Sequence, residues 1–337
     1  MTEPIRQRLE AFRQQKRVHA NSLIISLFGD AVVPRGGRIW LGSLIQLLEP
    51  LGLNERLSRT SVFRLARDEW LHSEALGRRS DYLLTRSGQR RFDEASRHIY
   101  ASRAPIWDRR WRLILNIKTQ SPNDRKKLRR ALFWQGFGAL GTAALTGAVG
   151  TKGAAGSECF VHPSADLPAA LDALAADGLG HLIDGLLPLM AADLPLAGTA
   201  SNADLVARSW NLDQLATDYA EFVATYTPSL AELRRNPHAP VDTEDAFLMR
   251  LLLIHDYRRL LLRDPELPDQ LIPAHWPGQT ARHLCGNLYR RLLAPSERHL
   301  DRCFQTADGQ CPTAPGQVQE RFAEDEPLSV PINRIER

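Results

Sequence analysis

Between residues 21 and 102 the breakers leave room for only one local order of elements. Ser22–Phe28 (SLIISLF) is a short apolar helix that Gly29 is expected to end. Arg35-Gly36-Gly37 reads as a turn, and Ile39–Leu48 sets Leu41, Leu44, Ile45 and Leu48 at helical spacing before Pro50 and Gly52 break the chain. A third helix starts near Asn54 or Ser58, both good N-caps, and buries Val62, Leu65 and Ala66. Arg56, Arg59, Thr60, Phe63, Arg64 and Arg67 fall largely on its other side. WLHSEAL and DYLLT, parted by Gly77-Arg78-Arg79-Ser80, read as a β-hairpin. A helix from about Ser87 to Ser102 follows, with Phe92, Ala95 and Ile99 on one face. Helix, helix, turn, helix, hairpin is the layout of a winged helix-turn-helix.

Charge supports that layout. Residues 1–135 hold 27 Lys and Arg against 13 Asp and Glu, and residues 136–337 hold 16 against 26, so a formal net charge of +4 conceals a basic third joined to an acidic remainder. Only the basic part is suited to a polyanion. A helix fits the major groove of DNA, where arginine pairs bidentately with guanine, and a hairpin tip sets Arg78 and Arg79 against phosphates. The competing reading is a solvated basic face on a helical bundle. Arg56, Arg59, Thr60 and Arg64 are the candidate readers of double-stranded DNA.

The rest of the chain divides by pattern. Residues 1–20 are a charged amphipathic lead-in. Trp111–Ile117 reads as a strand, Asp124–Gln135 as a helix with a basic first turn, Ala143–Gly150 as a strand, Glu158–Pro163 as a strand, Leu167–Leu179 as an Ala-rich helix and His181–Met190 as a last strand. Such alternation predicts a small α+β sandwich of ferredoxin type. From Ser201 the pattern is helical: Asn202–Tyr226, Asp242–Leu262 and Gly278–Leu293. The middle helix, FLMRLLLIHDYRRLLL, is apolar almost all round and is expected at the centre of a core. The expected organisation is α+β and multidomain: 21–103 winged helix, 105–195 ferredoxin-like, 201–305 all-helical, and a disordered tail over 306–337.

Several classes are disfavoured. Hydrophobic residues make 43% and charged residues 24% of the chain, as in a soluble globular protein. The opening MTEPIRQRLEAFRQQKR lacks an apolar signal core. Four cysteines without CxxC spacing make no disulfide framework, which fits the cytoplasm. Ala131–Thr151 is uncharged over 21 residues, yet its Gly, Ala and Thr content is too weakly apolar for a membrane span. Gly136-Phe137-Gly138-Ala139-Leu140-Gly141 matches GxGxxG, but a basic helix precedes it rather than a strand, so we read a glycine turn allowing close packing. His275, His283 and Cys285 lack the spacing of a zinc site, and neither metal nor resident cofactor is expected. No nucleophile or paired-carboxylate signature points to an enzyme. Asp256, on the apolar helix, reads as an ion-pair partner of Arg259 or another arginine.

Cations beside an apolar interior can hold a phosphorylated, partly apolar ligand. His255, Arg258 and Arg259, where the apolar helix emerges, form one candidate group with Trp276 of the PAHWPG loop and with Arg282 and His283 of the next helix. Interdomain salt bridging is the plainer reading of the same residues. A second place is the basic helix of Arg125–Arg130 with Trp134.

SLIISLFGDAVVPRGGRIWLGSLIQLLEPLGLNERLSRTSVFRLARDEWL, GRRSDYLLTRSG, LFWQGFGAL and LLLIHDYRRLLLRDPELPDQLIPAHWPGQTARHLC together resemble the PaaX family, from Ser22 to Cys285. The family consists of repressors of phenylacetate catabolic operons. The resemblance implies a homodimeric winged-helix repressor, not an enzyme, whose inducer is phenylacetyl-CoA. By position in the motif it places the recognition helix at Arg56, Arg59, Thr60 and Arg64 and the wing tip at Arg78 and Arg79. It also implies a middle domain similar in fold to a small CRISPR-associated nuclease. That nuclease carries an acid at the end of its first strand, where this chain has Asn116, so the fold transfers and the activity does not. An enzyme acting on an acyl-CoA, and an RNA-binding module using the basic third, are the alternatives.

Overall fold

The computed structural model describes residues 3–15, 18–100, 105–140, 158–237, 239–314, 316, 318 and 321–322. The chain is α+β and forms two compact units, one of Met1–Ser102, Ala220–Arg259 and Gly278–Arg337, the other of Arg103–Tyr219 and Leu260–Pro277. The helical 201–305 segment contributes to both.

In the first unit, α1 (Glu3–Arg13) and α2 (Ala20–Leu27) lead to α3 (Leu41–Leu48) and α4 (Glu55–Arg67). The charged lead-in is packed: Ile5, Leu9 and Phe12 of α1 are buried, and Arg8 reaches Asp256 at 2.5 Å. Gly29 does not end α2, which runs on through a π-helical turn, Phe28–Val32. A Cβ there would lie 1.8 Å from the Phe92 ring, so the glycine is required by side-chain packing rather than by a helix stop. Ile39 belongs to a strand, β1 (Arg38–Trp40), and the helix begins only at Leu41. β1, β2 (Leu71–Leu76) and β3 (Arg79–Leu84) form an antiparallel sheet of order β1-β3-β2. Gly77, at φ 58°, opens the two-residue hairpin loop. α5 (Arg86–Ile99) follows, burying Phe92 and Ile99.

α9 (Leu212–Arg235), α10 (Thr243–Leu261) and α11 (Pro277–Cys303) supply the other helices. α10 is buried continuously from Ala246 to His255, as its all-round apolar pattern predicts. α11 runs ten residues beyond the expected Leu293, through Pro295. The tail expected to be disordered from Thr306 is packed at its start. Thr306, Ala307, Val318 and Phe322 are buried. The backbone N–H of Ala307 donates to Asp81 Oδ1 at 2.6 Å, and that of Trp40 donates to the Gln305 carbonyl at 2.9 Å, fastening this segment to β1 and β3. Residues 323–337 lie outside the described residues.

The second unit runs β4 (Arg110–Asn116), α6 (Pro122–Trp134), β5 (Gly138–Leu140), β6 (Glu158–His162), α7 (Leu167–Leu174), β7 (Leu186–Ala192) and α8 (Asn202–Ser209). Its sheet is antiparallel throughout, in order β5-β6-β4-β7. Alternation sends Ile114 and Phe160 toward Leu128 and Leu132 of α6 and Leu174 of α7, while Cys159 and Val161 meet Val206, Leu267 and Leu271 on the other face. The expected strand at Ala143–Gly150 lies outside the described residues, and a three-residue strand forms earlier, inside the glycine motif. Gly138 permits it, since a Cβ there would lie 2.6 Å from Trp210. Trp210 donates from Nε1 to the Gly136 carbonyl at 3.1 Å and is itself extended, so 202–226 folds as two helices rather than one. His181 sits in a 3-10 turn, Gly180–Gly185, and the last strand starts at Leu186. No helix among the described residues is long and apolar enough to cross a membrane.

Candidate nucleic-acid interface

α4 is built to show one face. Asn54 caps it by accepting from the Leu57 N–H at 2.9 Å, Glu55 sits at its positive end and Arg64 and Arg67 at its negative end. Ser58, Ser61, Val62 and Leu65 are buried against the body of the unit, where α2 and α3 pack on α4. Arg56, Arg59, Thr60, Phe63, Arg64 and Arg67 are all exposed. Two of the cations have local partners, Arg59 with Glu55 at 2.7 Å and Arg67 with Asp68 at 3.3 Å. Exposed pairs of this kind are worth about 0–1 kcal/mol, so a phosphate or a guanine edge can displace them. Thr60 Oγ1 donates to the Arg56 carbonyl at 2.8 Å, so its hydroxyl proton is engaged on the helix itself.

The hairpin stands out beside this helix. Of β2 only Leu71 is buried, and Arg78 and Arg79 at the tip are exposed. Arg79 stacks over Trp40 with its guanidinium 4.6 Å from the ring centroid, and Arg38 donates to the fully buried Asp81 on β3 at 2.9 Å. Trp40, Arg38 and Asp81 went unread in the sequence. The only local signal was an aromatic and a cation in RIW, and their partners lie about 40 residues away in sequence.

The other candidate group divides between the two units. His255 and Arg258 share a partner: His255 Nδ1 lies 3.2 Å from Ser26 Oγ, and Arg258 donates to Ser26 Oγ at 3.2 Å and to the Ser22 hydroxyl and carbonyl at 2.7 and 3.0 Å. Burial and the Arg259 charge pull the Arg258 guanidinium down to about 10, and burial pulls His255 down to about 4. Arg259 is exposed, and Arg282 and His283 are half-buried on α11. Trp276 belongs to the second unit, where it meets Tyr219 edge-on at 5.8 Å. The acid on this helix, Asp256, is held by Arg8 and by the Tyr226 hydroxyl at 2.6 Å. Lys126, Lys127, Arg129, Arg130 and Trp134 of α6 are exposed.

A family model described as PaaX-like protein matches residues 19–88, which span α2 to the hairpin, and one described as PaaX-like protein C-terminal domain matches 210–302. The transcriptional repressor PaaX of Escherichia coli (strain K12) is 38% identical over 309 residues, covering 90% of this chain and 90% of that protein. The chain belongs to the PaaX family. Among solved structures, an uncharacterized protein from Mycobacterium tuberculosis aligns with 75% of this chain and 90% of its own length, at 24% identity and a TM-score of 0.42.

In this PaaX-family chain the end of β4 has no acid. Asn116 there is buried and faces Glu158 across the β4–β6 ladder. The Glu158 carboxylate, 3% exposed, is paired with Arg129 of α6. The second Glu158 oxygen and the Asn116 side-chain oxygen have no hydrogen-bond partner among the described residues.

Proposed function

We propose that the chain is a transcriptional repressor of a phenylacetate-degrading operon. In this reading α2 to β3 is a winged helix-turn-helix, α4 enters the major groove of the operator, and Arg78 and Arg79 meet its phosphates. The row of exposed arginines on α4, capped, rigid and standing beside the hairpin, is the observation that carries it. Membership of the PaaX family supports the regulatory role.

The second unit, with its β-α-β-β-α-β order and the strand order β5-β6-β4-β7, fits the ferredoxin-like arrangement. Its edge strand β7 exposes Leu187, Leu189 and Met190 in an uncharged run, which supports pairing with a second copy in a homodimer.

The inducer in this reading is phenylacetyl-CoA or a related aryl-CoA. Arg258 already grips α2, and α2 packs on α4. A phosphorylated ligand drawing on Arg258 and its exposed neighbour Arg259 would compete for the bonds to Ser22 and Ser26. It would thereby shift the support of the recognition helix, which gives it the different affinities for two states that release requires. Arg282 and His283 are the further candidates for its polar end, and Trp276 of the second unit is a separate candidate for an aromatic contact.

Base readout is tested by Arg59→Ala and Arg64→Ala. Each is expected to lose about 1–3 kcal/mol on operator DNA and to relax sequence preference, with little change on non-specific DNA. Equal weakening on both DNAs would remove α4 from the role of reader.

A further inference from the structure

The middle of the α4 face is apolar. Phe63 leaves 69% of its surface open, the most of any large apolar side chain among the described residues of the first unit. At ~100° per residue, Arg56, Thr60, Phe63 and Arg67 form one stripe along the helix, on the side away from buried Leu65. Arginines stand at both ends and two apolar groups lie between them. Thr60 adds a methyl beside the ring, and its hydroxyl proton is bonded to the Arg56 carbonyl. Among the described residues no ring or guanidinium stacks on Phe63. The ring is therefore neither core nor a local prop for the surrounding cations.

A surface that alternates cation, apolar, cation over about three helical turns has a direct counterpart in duplex DNA. The major groove presents phosphates and guanine acceptors to arginines, and its one apolar group is the 5-methyl of thymine. A phenyl ring offers no conventional hydrogen-bond donor or acceptor, so it cannot match the polar pattern of the other base edges. It discriminates by burying that methyl. We infer that Phe63, with the Thr60 methyl beside it, is a specificity-determining residue that reads thymine methyls in the operator. The inference rests on the proposed docking of α4 in the major groove.

The test uses the full chain and the duplex it selects from a random-sequence library, followed by fluorescence anisotropy. Each thymine of the site is replaced singly by deoxyuridine, which removes one methyl and leaves the hydrogen-bonding edge intact. With the unsubstituted protein, one or two positions in each half-site should lose about fourfold in affinity, the value of one buried methyl. Phe63→Ala should bind the unmodified duplex more weakly by a similar factor and show no further loss with deoxyuridine at those positions. Phe63 is exposed, so circular dichroism and melting should be unchanged. Indifference of the unsubstituted protein to every deoxyuridine would overturn the inference, as would Phe63→Ala retaining the full penalty. Unchanged affinity of Phe63→Ala would assign the ring to a protein partner instead and equally overturn it. Arg59→Ala and Arg64→Ala in the same assay separate the two levels. If they lose specific binding while methyls do not matter, only the Phe63 role falls; if they lose nothing, the docking of α4 falls.

Discussion

Asp30→Ala should destabilise the first unit by about 3–5 kcal/mol, the usual cost of removing one partner from a buried ion network. Asp30 is 2% exposed and joins elements far apart in sequence. Its Oδ2 lies 2.8 Å from Nε of Arg250 on α10, whose side chain is fully buried. Its Oδ1 accepts from the hydroxyls of Tyr100 and Tyr289, each at 2.9 Å, and from Arg321 at 3.0 Å. Burial alone would weaken proton binding by Arg250 and Arg321. Asp30, Tyr289 and Glu297 around the first, and Tyr100, Tyr289 and Asp30 around the second, more than reverse this and hold both above the ordinary arginine value. Without Asp30, Arg321 loses its carboxylate and Arg250 keeps only Glu297 among the described acids. Urea unfolding followed by circular dichroism measures the loss. Asp30→Asn, which keeps the volume and one acceptor oxygen, should fall between the two. A midpoint for Asp30→Ala equal to that of the unsubstituted protein would show that the network contributes no stability.

Acid should destabilise both units well above the carboxylate range. Burial holds His255 in the first unit and His162 in the second down to about 4, the latter with help from the Arg112 charge. His162 Nδ1 also accepts N–H bonds from Ser164 and Ala165, at 3.0 and 2.8 Å, which a proton there would abolish. Both imidazoles are neutral when folded and titrate near 6.5 when unfolded. Between pH 6.5 and 4 the unfolded chain binds the proton and the folded chain does not. The stability each neutral histidine contributes is therefore complete above about pH 6.5 and is lost as pH falls toward 4. The loss is roughly 3 kcal/mol for each. Buried His299, also lowered by burial first and Arg302 second, acts in the same direction. Urea midpoints taken from pH 7 to 5 should fall steadily, and His162→Gln should flatten the slope for the second unit. A flat profile across that window would mean that these rings can accept protons in place.

What could be read from the chain and what could not divide along sequence distance. The exposed arginines of α4, the Gly77 hairpin and the apolar girth of α10 are local patterns, set by residues within one or two turns of each other. The Asp30 network joins residues up to 291 positions apart, and Arg8 finds Asp256 across 248. No periodicity announces such pairs. The packed start of the tail carries no local pattern, because Val318 and Phe322 are single apolar residues among polar ones and Phe322 is buried against Tyr100 and Tyr289, more than 30 residues away in sequence. β5 was missed because Gly138, Ala139 and Leu140 carry little strand propensity, and the neighbouring β6 supplies the pairing. His255 and Arg258 looked like ligand-facing cations at a helix exit; their bonds to Ser22 and Ser26 depend on a helix about 230 residues earlier.

In the proposed function this chain holds operator DNA until an aryl-CoA thioester arrives. That function is tested most directly by binding the full protein to a duplex spanning the promoter beside its own gene and titrating phenylacetyl-CoA, with free phenylacetate and free coenzyme A run in parallel. The account predicts release by the thioester at concentrations where neither the acid nor coenzyme A has any effect, with the thioester recovered intact. A complex that persists at saturating thioester, or a thioester that is consumed while the DNA stays bound, would contradict it.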